Sequence, residues 1–336
     1  MLKKIKYFSL LGLLFFSITC FSQELDLNII NESKNNFITF MVENHTFDRD
    51  SLENLFDNTE ILYGVLESIS NPAERVIPWY EYKDIFLTDR RIELGVEFWI
   101  NNYDLVSSIS EEYGIAAEII VSILGIETYY GRYTGNYSVL DSLYTLAFAY
   151  PPRSQFFLRE LENFLLLTRE EGIDPFLING SYAGAMGNSQ FISSSYRAYA
   201  VDGDGDGKRD LWKSWPDIIS SICNYFLIHG WKKDAPILQR ASFPDAIDVE
   251  IEGNSINLNH TIGSLIAKGF VFSSDLALDS PATSVVLNGE EGVEYWVGFN
   301  NFYVITRYNR SEKYAMAAYQ LAEQIRYNFE LTTNKQ

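Results

Sequence analysis

IAAEIIVSILGIETYYGR, residues 115–132, places Ile119, Ile120, Ile123, Leu124 and Ile126 at helical spacing, with Gly131 where such a helix stops. Glu127 falls on the apolar face, four residues after Ile123 and eight after Ile119. Glu118, nine residues earlier, lies about 180° round the helix at about 3.6 residues per turn and is expected to face solvent. A carboxylate on the buried side is costly to ionise, and the partial negative charge at a helix C-terminus adds to that cost. Both effects raise its pKa. Two readings of Glu127 follow. It is a partnered core glutamate near a helix end, or a carboxylic acid that keeps its proton near neutral pH and gives it away.

Upstream, 24–44 reads as polar and irregular. Residues 47–69 have helical periodicity up to the Asn71-Pro72 break, and 82–102 reads as another helix entered through Thr88 and Asp89. Downstream, 137–150 reads as a helix closed by Pro151-Pro152, and 154–171 as a further apolar helix. Residues 172–188 form a long connection whose glycines, Gly180, Gly184 and Gly187, suit close backbone approach to a ligand or a positive φ. From 241 to 284 the period changes to that of strands, in IDVEIEG, SINLNHTIG, VFSSD and TSVVLNG. Helix returns over 312–328. The expected class is mainly α (α+β).

The chain has 336 residues, enough for two or three sub-structures around a sizeable core. Lys plus Arg is 26 and Asp plus Glu is 45, a net charge of −19. Nucleic acid and anionic membrane surfaces are therefore poor partners. Many of the 22 tyrosines belong to the core, and so many also suit a groove that stacks on sugar rings. The N-terminus, MLKKIKYFSLLGLLFFSITCFSQ, has three lysines and then an apolar run that is short for a membrane span, the pattern of a secretory signal peptide over 1–23. Cys20 leaves a lipoprotein form open, although Thr19 stands where Gly, Ala or Ser usually precedes a lipidated cysteine. Apart from Cys20 the chain has only Cys223, on an apolar helical face, so an internal disulfide cannot survive removal of the signal.

The stretch DGDGDGKRDL, 202–211, has Asp202, Asp204 and Asp206 at positions 1, 3 and 5 and Gly207 at 6, the opening of an EF-hand calcium loop. Lys208 at position 7 offers its carbonyl, and Asp210 at 9 binds directly or through water. Position 12, normally a bidentate Glu, is Lys213, so the closing carboxylate comes from elsewhere and Asp217 is the nearest candidate. One such loop, with no pair and no Met-rich groove, indicates a structural brace rather than a sensor.

Taken in order, IFLTDRRIELGVEFW, EYGIAAEIIVSILGIETYYGR, LDSLYTLAFAYPPRSQFF, GSYAGAMGNSQF, DGDGDGKRDLW, NYFLIHGW and NFYVITRYNRSEKYAMA resemble the membrane-bound lytic transglycosylase B group, glycoside hydrolase family 103. The resemblance runs from about residue 71 to 325. It implies a lysozyme-like catalytic core over 115–240, an α-domain drawn from 24–114 and 301–336, and a small β-rich insert over 241–300. It implies cleavage of peptidoglycan between N-acetylmuramic acid and N-acetylglucosamine, with 1,6-anhydromuramic ends as product. Glu127 matches the single catalytic acid. Ser181 and Gln190 match sugar-binding residues, and Tyr308 and Asn309 match contacts made by the RYN segment. Arg153 matches one of a basic pair whose other member is here Pro152, which weakens a two-arginine grip on the peptide stem. The loop matches an unusual EF-hand that a late aspartate, Asp217, completes around Ca2+. An exported, periplasmic monomer is implied, with a membrane tether if Cys20 is lipidated. Two rivals stay open at this stage: a calcium-braced peptidoglycan-binding scaffold without catalysis, and a hydrolytic lysozyme.

Overall fold

The computed structural model describes residues 26–70, 77–243 and 255–334. The signal segment with Cys20, the Asn71-Pro72 break and IDVEIEG lie outside these residues. The helices begin with α1 (Leu27–His45), α2 (Arg49–Asp57), α3 (Tyr63–Ser70), α4 (Trp79–Phe86), α5 (Asp89–Asn101) and α6 (Tyr103–Tyr113). They continue with α7 (Ala117–Thr128), α8 (Val139–Ala149), α9 (Ser154–Glu171), α10 (Ser193–Tyr199), α11 (Trp215–Ile228), α12 (Ile262–Ala267), α13 (Asn300–Tyr308) and α14 (Glu312–Thr333). None of the described helices is long and apolar enough to cross a membrane.

Helix α7 is the centre of the core. Ile119, Ile120, Val121, Ile123 and Leu124 are at most 1% exposed, and Ser122, Gly125 and Thr128 are buried with them. A helix so enclosed has no solvent face, and burying each of its large aliphatic side chains stabilises the fold by about 1.5–3 kcal/mol. Helices α5, α6, α11 and α14 pack around it. Glu118 therefore does not face open water as expected. It is half-buried, 3.9 Å from Arg326 of α14, and burial pushes its carboxyl above the ordinary carboxylate range.

Several sequence expectations are corrected. Residues 27–45 are not irregular: Asp26 Oδ1 accepts from Asn28 N–H at 2.9 Å and starts α1, which buries only Ile30, Phe37, Ile38 and Met41. The periodicity over 47–69 is split into α2 and α3, because α8 side chains capture the intervening backbone. Glu60 N–H donates to Asp141 at 2.9 Å and Leu62 N–H to Thr145 Oγ1 at 2.8 Å. Residues 82–102 are likewise two helices, with Thr88 capping the second through Arg91 N–H at 3.3 Å.

The strands form two antiparallel sheets. Strand β1 (Tyr137–Ser138) pairs with β2 (Asn179–Gly180), Tyr137 opposite Gly180. Strands β3 (Leu238–Ala241), β4 (His260–Thr261), β5 (Pro281–Gly289) and β6 (Gly292–Gly298) form a sheet in the order β3-β6-β5-β4. Alternation sends Val285, Leu287 and Trp296 into the main core. Ala282 and Val297 enter a second, smaller core with Ile262, Leu265, Phe270 and Phe299. Of the segment SINLNHTIG only His260–Thr261 is strand, and its end turns into α12, capped by Thr261 accepting from Ser264 N–H.

Candidate active site

Glu127 sits in the last turn of α7 and is half-buried. The helix ends two residues later in an unusual way: Tyr129 and Tyr130 are both left-handed, with φ of 53° and 61°. Non-glycine residues rarely adopt that region, so the surrounding structure must hold them there. Tyr130 is held by its hydroxyl, which donates to Arg91 O at 2.8 Å, and its ring lies against Gly125, where an added Cβ would come within 2.6 Å of the phenol oxygen. Thr128 holds the next turn, its carbonyl accepting from Arg132 N–H and Tyr133 N–H, each at 2.9 Å.

Tyr314, in the first turn of α14, donates its hydroxyl to Glu127 Oε1 in a short hydrogen bond. Burial first, and then the charge of Glu127, push the Tyr314 phenol well above its ordinary value of 10.0, so it remains a donor. Tyr308, at the end of α13, donates to Ser189 O at 2.6 Å. Its phenol is raised by the same two causes in the same order, which puts it in the field of the same carboxylate. Tyr308 and Gln190 thus meet at residues 189–190, and Thr128, next after Glu127, reaches the same segment through its Oγ1 to Asn188 O at 3.5 Å.

Gln190 has a positive φ of 50°, and its Nε2 donates to Thr134 O at 3.0 Å and Gly187 O at 2.9 Å. Ser181 Oγ accepts from Ala185 N–H at 3.0 Å and Ala183 N–H at 3.3 Å, leaving its own proton for another acceptor. The loop between them needs its glycines: Gly184 and Gly187 have φ of 81° and 68°, and a Cβ on Gly180 would lie 2.2 Å from Ala185 O. Asn309 is exposed and extended at the C-cap of α13. Arg153 is exposed at the start of α9, its guanidinium 4.4 Å from the Phe156 ring centre and 5.1 Å from that of Phe157. Sequence reasoning missed Tyr314, whose signal was a lone phenol among Ala315, Ala317 and Ala318 on a buried helix face.

In the acidic loop, Asp202, Asp204 and Asp217 each bring one carboxylate oxygen within 4.8 Å of the others. Asp217 is 1% exposed and accepts from Asp210 N–H at 2.7 Å, Gly203 N–H at 2.8 Å and Asp204 N–H at 3.3 Å. Asp206 accepts from Lys208 N–H at 2.9 Å, and Asp210 from Trp212 N–H and Lys213 N–H at 2.8 and 3.0 Å. Those two carboxylates lie outside the three-oxygen group, within which Asp202 also accepts from Gly205 N–H at 2.7 Å and Gly207 N–H at 2.8 Å. The far end of the loop is tied to the site, because Asn188 N–H donates to Leu211 O at 2.7 Å and its Nδ2 to Trp212 O at 2.8 Å.

The family model described as a transglycosylase SLT domain matches residues 30–323, nearly the whole described chain. The chain belongs to this family. Membrane-bound lytic murein transglycosylase B of Escherichia coli (strain K12) is 39% identical over 310 residues, 88% of this chain and 83% of that protein. Among solved structures, catenated lytic transglycosylase SltB1 from Pseudomonas aeruginosa superposes with a TM-score of 0.85 at 44% identity, covering 90% of this chain and 98% of that one. Escherichia coli lytic transglycosylase Slt35 in complex with calcium does so at 0.79 and 38%, covering 88% and 93%. These neighbours share the mainly α fold with a small sheet.

Proposed function

We propose that this chain, a lytic transglycosylase of peptidoglycan, works with Glu127 as its only general acid and base. The observation that carries the reading is the Tyr314–Glu127 hydrogen bond at the left-handed end of a buried helix. With Tyr314 donating to Oε1, the exchangeable proton of the acid belongs on Oε2. Asp141, the carboxylate of the next motif, is occupied by Glu60 N–H and does not serve as a partner. Glu127 gives its proton to the oxygen linking N-acetylmuramic acid to N-acetylglucosamine as the C1–O bond breaks. The muramic N-acetyl oxygen stabilises C1 in place of a protein nucleophile. Ionised Glu127 then takes the proton of the C6 hydroxyl, whose oxygen attacks C1. The product is a 1,6-anhydromuramoyl end, no water is consumed, and the acid is regenerated. Ser181, Gln190, Tyr308 and Asn309 bind the sugars, and Arg153 binds the peptide stem.

The oxygen donors of Asp202, Asp204 and Asp217 suit a hard cation, and the buried Asp217 is preset by three N–H groups. These residues would hold Ca2+, with Asp206, the Lys208 carbonyl and Asp210 completing its shell. A bound ion would offset the mutual repulsion of the aspartates, and the proton transfers would stay with Glu127. The domain division is a lysozyme-like core over 115–240, a helical part from 24–114 and 301–336, and the β-rich insert over 241–300. The protein is exported to the periplasm and acts as a monomer, tethered to a membrane if Cys20 carries lipid.

Mass spectrometry of muropeptides released from purified sacculi tests the reading. Anhydromuramic ends are expected. Hydrated reducing ends would replace it with lysozyme-type hydrolysis, and absence of products would leave a binding scaffold.

A further inference from the structure

Beyond the residues already placed at Glu127, the turn that follows it holds a row of side chains with no role in that chemistry. Tyr133 is 72% exposed, although its backbone is fixed by its N–H to Thr128 O at 2.9 Å. The next residue, Thr134, is fixed by Gln190 Nε2 at 3.0 Å, and Gly135 is pressed against the backbone of Gly180 and Ser181. Tyr133 therefore stands on the same wall as Gln190 and Ser181, five and six residues of chain away from Thr128 and Glu127.

The ring behind it is equally ordered. Tyr129 lies 5.9 Å from Tyr133, centre to centre, and the Arg91 guanidinium sits 4.7 Å over Tyr129 and 5.1 Å over Phe86. Arg91 is itself anchored, with Nη1 donating to Ile85 O, while its buried Nε has no hydrogen-bond partner. A cation held against the Tyr129 ring face fixes that ring, and the left-handed Tyr129 backbone aims it out of the helix end. Tyr133 thus presents a largely exposed ring on a turn whose following residues are fixed to the Gln190 and Ser181 wall. An ordered phenol of this kind presents an apolar face and a polar edge, which matches the C–H face and hydroxyl rim of a pyranose ring.

We propose that Tyr133, backed by Tyr129 and Arg91, forms an additional aromatic subsite that stacks on a sugar of the glycan strand beyond those held around Glu127. The occupant is the N-acetylated glycan of peptidoglycan, because the ring is continuous with the Gln190 wall. The proposal rests on the Glu127 reading for the position of the groove.

The test measures binding of soluble peptidoglycan glycan strands of increasing length to the Glu127→Gln protein, with and without Tyr133→Ala. One stacking contact predicts about three- to tenfold weaker binding of strands long enough to reach Tyr133, and unchanged binding of the shortest strand. Tyr133→Phe, which keeps the ring, is expected to bind as the parent does. In the active protein Tyr133→Ala should raise KM on long strands and leave kcat in place. Equal binding by parent and Tyr133→Ala at every length overturns the subsite. So does an equal loss at every length, or a loss in Tyr133→Phe as large as in Tyr133→Ala. If the Glu127→Gln protein binds no strand at all, the groove reading fails and the subsite with it.

Discussion

At the end of α7 one carboxylate meets a phenol 187 residues further along the chain, whereas five aspartates between Asp202 and Asp217 meet backbone N–H groups no more than 14 residues away. The acidic loop thus organises itself from its own sequence, and its carboxylates define a shape. The Glu127 corner exists only when distant helices have packed, and the proposed acid sits there. The two regions should accordingly fail in different ways, the first by losing stability and the second by losing rate.

The largest contrast is expected at the two central carboxylates. Glu127→Gln keeps nearly the same shape but cannot donate the proton, so turnover on sacculi should fall roughly a hundred- to ten-thousandfold while the denaturation midpoint holds. Near-parental turnover would break the assignment. Asp217→Ala should do the reverse. It removes the buried acceptor of the Gly203, Asp204 and Asp210 N–H groups, and chemical denaturation should show a loss of about 1–3 kcal/mol, with or without calcium. If that variant is as stable as the parent, the loop does not depend on its buried carboxylate.

Tyr314→Phe sharpens the other side. It removes one hydrogen bond to a charged group, worth about 1.5–3 kcal/mol, so kcat should fall roughly ten- to a hundredfold with KM little changed. An unaltered kcat would show that the phenol is packing only. Calcium at a hundred times its Kd should stabilise the protein by about 2.7 kcal/mol, raising Tm, and Asp204→Ala should abolish that shift while activity persists at low temperature. No calcium shift in the parent, or a folded calcium-free protein that is wholly inactive, would end the structural-brace reading.

The smallest effect concerns Glu170 of α9, held by the Arg197 guanidinium at 2.7 Å. The hydrogen bond from Arg197 depresses its carboxyl below the ordinary range. A depressed folded value means that stability is present above the unfolded carboxylate pKa of about 4.3 and is lost as pH falls through the depressed value. Glu170→Gln should therefore cost less than about 1 kcal/mol at pH 7, because the pair is partly exposed, and nothing once the pH is below both values. A larger loss at low pH than at neutral pH would reverse the sign.

The same distinction explains what the sequence made legible. The acidic loop and α9 are encoded in consecutive residues, and both can be read directly. Helix α1 was hidden because its four buried side chains are thinly spaced among polar ones, so tertiary contact rather than periodicity sustains it. The break between α2 and α3 was hidden because its cause, Asp141 and Thr145, lies more than 80 residues away. Glu118 was misplaced because a helix packed on all sides offers no free face for an angular rule to identify. Glu127 could be named from its local motif, but nothing within the motif indicates that Tyr314 completes it.

Helix α14 packs on α4, α5 and α7 and carries Tyr314 in its first turn. A chain made from its N-terminus forward delivers Glu127 before this helix, the last of those described. Until that helix docks, Glu127 lacks the Tyr314 hydroxyl and α7 lacks one of its walls. If Glu127 works as proposed, order of arrival becomes a safety catch, because its phenol partner reaches it only after α14 has docked.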